Sequence, residues 1–94
     1  MMNVKWSDVA QLQLKEILLF YTKRNGSNQY SKKLKKKVNE LVKHFRRNPE
    51  FGELLPQESN CRRVCIEYFE ILYTVEQDYL EIASFRDARR NYMR

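Results

Sequence analysis

Apolar residues in the first half of the chain recur at helical spacing. Ala10, Leu14, Ile17, Leu18 and Tyr21 fall three or four residues apart and share one face. Ser7 or Asp8 precedes them as an N-cap oxygen for the free amides. With Asp8 as cap, Gln11 sits at the third helical position as a weak capping box. The spacing predicts a helix over 8–23. In the turn Arg24-Asn25-Gly26-Ser27, Gly26 can take the positive φ that ends a helix. A second stripe follows in Tyr30, Leu34, Val38, Leu41, Val42 and Phe45, predicting a helix over 28–47. Asn48-Pro49 stops it, because proline disfavours helical backbone in the residue before it. So short a turn makes the two helices an antiparallel hairpin.

Around this hairpin the period changes. Val4-Lys5-Trp6-Ser7 reads as a short opening strand, and Trp6 as a core residue. After an irregular loop marked by Gly52 and Pro56 come three β-rich runs, at 62–67, 69–75 and 79–85. Phe69, Ile71, Tyr73 and Val75 alternate with Glu70, Thr74 and Glu76, which is strand periodicity with one buried face. Leu72 breaks the alternation, so that strand is expected to be covered on both faces near its middle. Gln77-Asp78 is a candidate tight turn. The predicted fold is α+β, in the order β-α-α-β-β-β, with a helix hairpin packed on an antiparallel sheet. Val38, Leu41, Phe45, Ile71, Tyr73 and Ile82 are expected in one core.

At 94 residues the chain is expected to form one domain spanning 1–94, with no room for a separate cofactor domain. Its 43% hydrophobic content is too high for intrinsic disorder. The longest strictly apolar run, 17–21, is far short of the roughly 18–20 residues of a membrane span. Asp8, Gln11 and Gln13 interrupt any secretory h-region, so a cytoplasmic protein without membrane partners is expected. Cys61 and Cys65 would share one strand face about 13 Å apart, too far to bond, and read as free buried thiols. A lone His44 on a basic helix reads as a surface histidine. Neither a metal site nor a cofactor is expected.

Charge changes this picture most. Residues 32–47 carry eight Lys and Arg against Glu40, a local net of +7, inside a chain whose overall net is +6. Arg86, Arg89, Arg90 and Arg94 against Asp87 add +3 at the C-terminus, and Arg62 and Arg63 open the strands. Acidic residues lie between, so the molecule is polarised in a way that suits phosphate or an acidic partner. The lysines also fit a merely solvated face. The terminal arginines, with Tyr92 among them, form a phosphate-binding and stacking set.

These residues resemble the RelE/ParE toxins of bacterial type II toxin–antitoxin modules. The resemblance lies in Val4-Lys5-Trp6-Ser7 with Ala10, Leu14, Ile17 and Tyr21, in Asn48-Pro49-Glu50-Phe51-Gly52, and in Arg62-Arg63-Val64. It continues through 69–75, Leu80-Glu81-Ile82 and the Arg-rich ending, so it covers nearly the whole chain. It implies a growth-inhibiting toxin neutralised by a cognate antitoxin protein. RelE-like members cleave mRNA on the ribosome. In that frame the resemblance makes Arg86, Tyr92 and Arg63 the catalytic candidates. ParE-like members poison DNA gyrase. In that frame Phe85-Arg86-Asp87-Ala88-Arg89-Arg90-Asn91 resembles the ParE-like ending, and Arg62, Arg89 and Arg90 are the target-binding candidates.

Many members of both groups carry Arg at the position of Glu70, where a carboxylate would repel a scissile phosphate. That, and the lack of a C-terminal His, favours gyrase poisoning over ribosome-dependent mRNA cleavage. A basic nucleic-acid-binding module without toxicity is the third reading.

Overall fold

The structure is a computed structural model that describes residues 2–57 and 60–91, with the backbone alone for Arg90 and Asn91. Strand β1 (Asn3–Trp6) leads into α1 (Asp8–Asn25) and α2 (Gln29–Arg47). Strands β2 (Glu53–Leu54), β3 (Cys61–Ile66), β4 (Phe69–Val75) and β5 (Tyr79–Asp87) follow, and a final turn of helix, α3 (Ala88–Asn91), closes the described chain. The Ser7 hydroxyl caps α1 by accepting the Ala10 amide, and Gly26 ends it in the left-handed region at φ 68°. The five strands lie in the order β1-β5-β4-β3-β2.

β3, β4 and β5 form the expected antiparallel meander, and the β4–β5 turn closes at Gln77-Asp78 with the Glu76 amide donating to the Tyr79 carbonyl. β1 adds to β5 in parallel, so the whole sheet is mixed. This pairing ends at Trp6–Ile82, where the chain turns away into α1, and Ser7 and Gln13 take over the backbone groups of β5 beyond it. The Ser7 amide donates to the Ile82 carbonyl and the Ser7 hydroxyl to that of Ala83. The Phe85 amide donates to Gln13 Oε1. Two side chains thus satisfy edge groups that a longer β1 would have paired. Ala83 sits at a register shift opposite Leu72 and Tyr73, a bulge that puts both Ile82 and Phe85 on the core side.

The core lies between the hairpin and one sheet face. Val38, Phe45, Ile71, Tyr73 and Ile82 are buried in it as expected, whereas Leu41 is half-buried at its margin. Trp6 likewise packs against the core with one side open. The Tyr73 hydroxyl, below the Phe45 ring, donates to the Pro49 carbonyl and accepts the Gly52 amide. Arg62 Nη1 donates to the carbonyls of Glu50 and Gly52. The 48–52 loop is therefore fastened to the sheet from two sides, and β2 pairs beside β3 as its continuation.

Gly52 is required there by space. A Cβ would lie 2.8 Å from Tyr73 Oη and 3.1 Å from Arg62 Cβ. Gly52→Ala should cost about 1–3 kcal/mol, the usual range for overpacking, read as a lower urea midpoint with an unchanged m-value.

The far face of the sheet carries no helix among the elements described, and this corrects one expectation. Both cysteines lie on this face, but only Cys61, near the sheet end, is buried, whereas Cys65 is exposed. Leu72, on the same face, is half-buried.

Candidate functional site

The uncovered face gathers two of the arginines singled out in the sequence. Cross-strand pairing sets Glu70 opposite Arg86 on one side and Cys65 on the other, with Arg63 one pleat along β3. Arg86 Nη2 donates to Glu70 Oε1 at 2.6 Å, and Arg63 Nη1 donates to Glu70 Oε2 at 3.2 Å. Arg63 also reaches Glu53 at 3.7 Å. Glu70 is only 8% exposed, whereas both arginine side chains are about 40% exposed. One carboxylate therefore sits between two guanidinium groups and uses both oxygens on them.

Burial pushes the Glu70 carboxyl up, but the hydrogen bonds and charges of Arg86 and Arg63 outweigh it and hold it below its ordinary 4.5. The lowered folded value makes its stabilisation complete above about pH 4.5 and lost as pH falls through the folded value. Glu67, held low by its bond from Lys37, adds in the same direction. Wild-type stability should thus drop steeply below about pH 4.5. Glu70→Gln should lower stability at pH 7 by about 1–3 kcal/mol and flatten that acid limb. Thermal melts from pH 7 to pH 3 check both expectations.

Nearby, Arg86 Nε and the Ser84 hydroxyl are buried without hydrogen-bond partners among the described residues.

A second cluster closes the same end of the β4–β5 pair, next to α1. Arg89 donates to both Asp87 oxygens and to the Tyr21 hydroxyl, and its guanidinium lies 4.0 Å over the Tyr68 ring. Asp87 also accepts the Arg89 amide, capping α3. Arg89 is thus fastened rather than reaching freely into solvent, and its pKa is raised further by the Asp87 bond. Beside it the Tyr30 hydroxyl donates to Glu67 at 3.0 Å, and Lys37 pairs with the other Glu67 oxygen at 2.6 Å. Burial and the Glu67 bond push the Tyr30 hydroxyl up to about 12, which unsuits it as a base near neutrality. Glu67 itself has φ 54°, uncommon for a side-chain-bearing residue, and these two bonds help hold it there.

The sequence-derived site residues therefore divide. Arg63 and Arg86 meet at Glu70. Arg62 lies on the core side of β3 and holds the 48–52 loop. Arg89 lies across the sheet end with Tyr21 and Tyr68. Tyr92 and the Arg90 side chain lie outside the described residues. His44 is exposed, with its ring edge-on to Phe51 at 4.4 Å.

One surface was not anticipated. Val9, Leu12, Leu19 and Phe20 are about half exposed on α1, outside the buried stripe of Ala10, Leu14 and Ile17. Beside Leu19 a groove of about 560 Å³ runs between α1 and α2, lined by Trp6, Leu14, Leu18, Thr22, Lys35 and Asn39 among others. The signal for it was present in the sequence, because α1 is apolar on more than one face. Among the described residues no helix is long and apolar enough to cross a membrane.

The family model for the ParE toxin of the type II toxin–antitoxin system parDE matches residues 4–92. A chain of the chromosomal ParDE TA system from P. aeruginosa has a TM-score of 0.76 to this chain at 23% identity. The match covers 93% of this chain and 96% of that one. The YoeB dimer from Staphylococcus aureus gives a TM-score of 0.61 at 27% identity, over 88% of this chain and 92% of that one. Among curated proteins none matches.

Proposed function

The chain belongs to the ParE toxin family of type II toxin–antitoxin systems, and from that premise we propose that it arrests growth by poisoning DNA gyrase. The observation that carries this reading is Glu70. Cleaving RNA through attack of a 2′-hydroxyl needs cations free to gather round the phosphorane, with a base and an acid beside them. Among the described residues Arg63 and Arg86 are the arginines that meet on one face, and both are already paired with a carboxylate. A phosphate entering there would have to displace Glu70 or meet its charge. A toxin acting by protein contact has no such requirement.

The second reading, ribosome-dependent mRNA cleavage, draws on one feature only: the same two arginines stand on one face within reach of one anion. Induction in cells separates the two. Gyrase poisoning predicts a DNA-damage response with transcripts intact by primer extension. Discrete transcript cleavages without that response would replace the first reading by the second.

The family implies a cognate antitoxin, and we place it on the hairpin. The groove between α1 and α2 supplies buried apolar floor at Leu14, a half-open wall at Leu18 and Leu19, and Lys35 at its rim. An amphipathic helix with an acidic edge fits that surface, with the local +7 of residues 32–47 speeding the encounter. Gyrase contact then falls to the sheet end, where Arg89 is held against Tyr68 and Tyr21.

A further inference from the structure

The outward side of α2 is unlike every other surface described. Leu34, Val38 and Phe45 point into the core. At 100° per residue, Lys32, Lys36, Lys43 and Arg47 fall on the opposite side, within about 60° of one another. The row from Lys32 to Arg47 is about 22 Å long at 1.5 Å per residue. All four are exposed, and among the described residues none of them is in an ion pair. Lys37 is the α2 lysine that is paired, with Glu67, and it lies off this row. Arg46, also off it, is turned back to the Met2 carbonyl. Glu40 alone opposes the row, leaving it at a net of +3.

We infer that this row is a docking ridge for the phosphate backbone of double-stranded DNA, the nucleic acid on which gyrase acts. The inference rests on the gyrase reading for its choice of DNA. Three observations favour a duplex over other anionic partners. A protein interface needs an apolar centre, and none of the exposed large apolar residues lies on α2. Single strands are gripped by stacking on exposed aromatic rings. The aromatic residues of α2 are instead occupied, with Phe45 in the core, Tyr30 on Glu67 and His44 against Phe51. What remains is flexible cations on a straight, rigid rod, the arrangement that contacts phosphates without reading sequence. The ridge would let the toxin engage DNA and enzyme together while the antitoxin groove lies on the neighbouring side of the hairpin.

The test is fluorescence anisotropy of the full chain, free of antitoxin, with labelled DNA and RNA duplexes of about 20 bp. If all four residues meet phosphates, log Kd should vary with log salt with a slope of magnitude about 3.6. Affinity should then fall roughly 10²-fold between about 50 and 200 mM salt. The pairs Lys32→Gln with Lys36→Gln, and Lys43→Gln with Arg47→Gln, should each remove about half of that slope. Lys15→Gln with Lys23→Gln, on α1, should leave it unchanged.

Absence of DNA binding, a slope indifferent to both ridge pairs, or a tighter hold on the RNA duplex would overturn the inference. The measurement needs no gyrase, so such a failure leaves the gyrase reading standing. Ridge-dependent DNA binding alongside a silent DNA-damage response would remove that reading and retain the ridge.

Discussion

Phe45→Ala should lower the unfolding free energy by about 3–5 kcal/mol, a large share of the 5–15 kcal/mol usual for a domain. Phe45 has no exposed surface, and its ring stacks on Tyr73 at a centroid distance of 4.3 Å. Removing it opens a cavity over the tyrosine whose hydroxyl pins the 48–52 loop through Pro49 and Gly52. The damage should therefore spread from the core to the loop. Ile71→Ala, on the strand face of Tyr73 and as fully buried as Phe45, should cost about 2–5 kcal/mol without loosening the loop. Urea titration followed by circular dichroism gives the two free energies. Hydrogen exchange at the Gly52 amide separates them: it should quicken in the first variant beyond what the lost global stability explains. A cost below about 1 kcal/mol for Phe45→Ala would mean that the site collapses and that the stacked pair is not what organises this end.

Leu19→Asp should weaken antitoxin binding by roughly 30-fold or more, the loss expected when a central apolar contact worth about 2 kcal/mol is removed. Leu19 is 53% exposed in the toxin alone, so its replacement should change stability by no more than about 0.5 kcal/mol. The variant should thus remain toxic while its neutralisation fails. Co-expression with the antitoxin should rescue growth for the wild-type chain and not for Leu19→Asp. Calorimetry on the purified pair gives the affinity ratio. Unchanged affinity would move the antitoxin off the α1–α2 groove, with the sheet edge as the next surface to test.

Most of the fold was legible because each helix and each meander strand carries its own periodicity. The helical stripes ended where Gly26 and Asn48-Pro49 required, and β4 ran 69–75 as its alternation indicated. β2 was not legible, since two residues hold no period and exist as a strand only through pairing with Arg62 and Arg63. Nor was the parallel placement of β1, which depends on where the helices leave room beside β5. The bulge at Ala83 shifted the register by one residue and extended β5 to Asp87.

The candidate site was legible in part. The sequence marked Glu70 as the departure from an arginine at that position. The cross-strand register explains what it does: it faces Arg86 directly and Arg63 diagonally. Arg62 and Arg63 are neighbours in sequence and separate in space, because successive strand residues point to opposite faces. That alternation sends one to the loop carbonyls and the other to Glu70. The apolar outer side of α1 was not legible because Val9, Leu12, Leu19 and Phe20 lie outside the stripe of Ala10, Leu14 and Ile17 that faces the core.

If this toxin acts on gyrase, and Glu70 keeps the arginine pair from acting on RNA, the purified chain should trap cleaved DNA on the enzyme. The most direct measurement incubates the purified chain with gyrase, ATP and relaxed plasmid, followed by detergent and protease. Linear, enzyme-cleaved plasmid should accumulate in proportion to the toxin, from the wild type and equally from Arg63→Ala with Arg86→Ala. Undisturbed supercoiling with no linear product, together with mRNA cut in a translating extract and spared by that double variant, would contradict it.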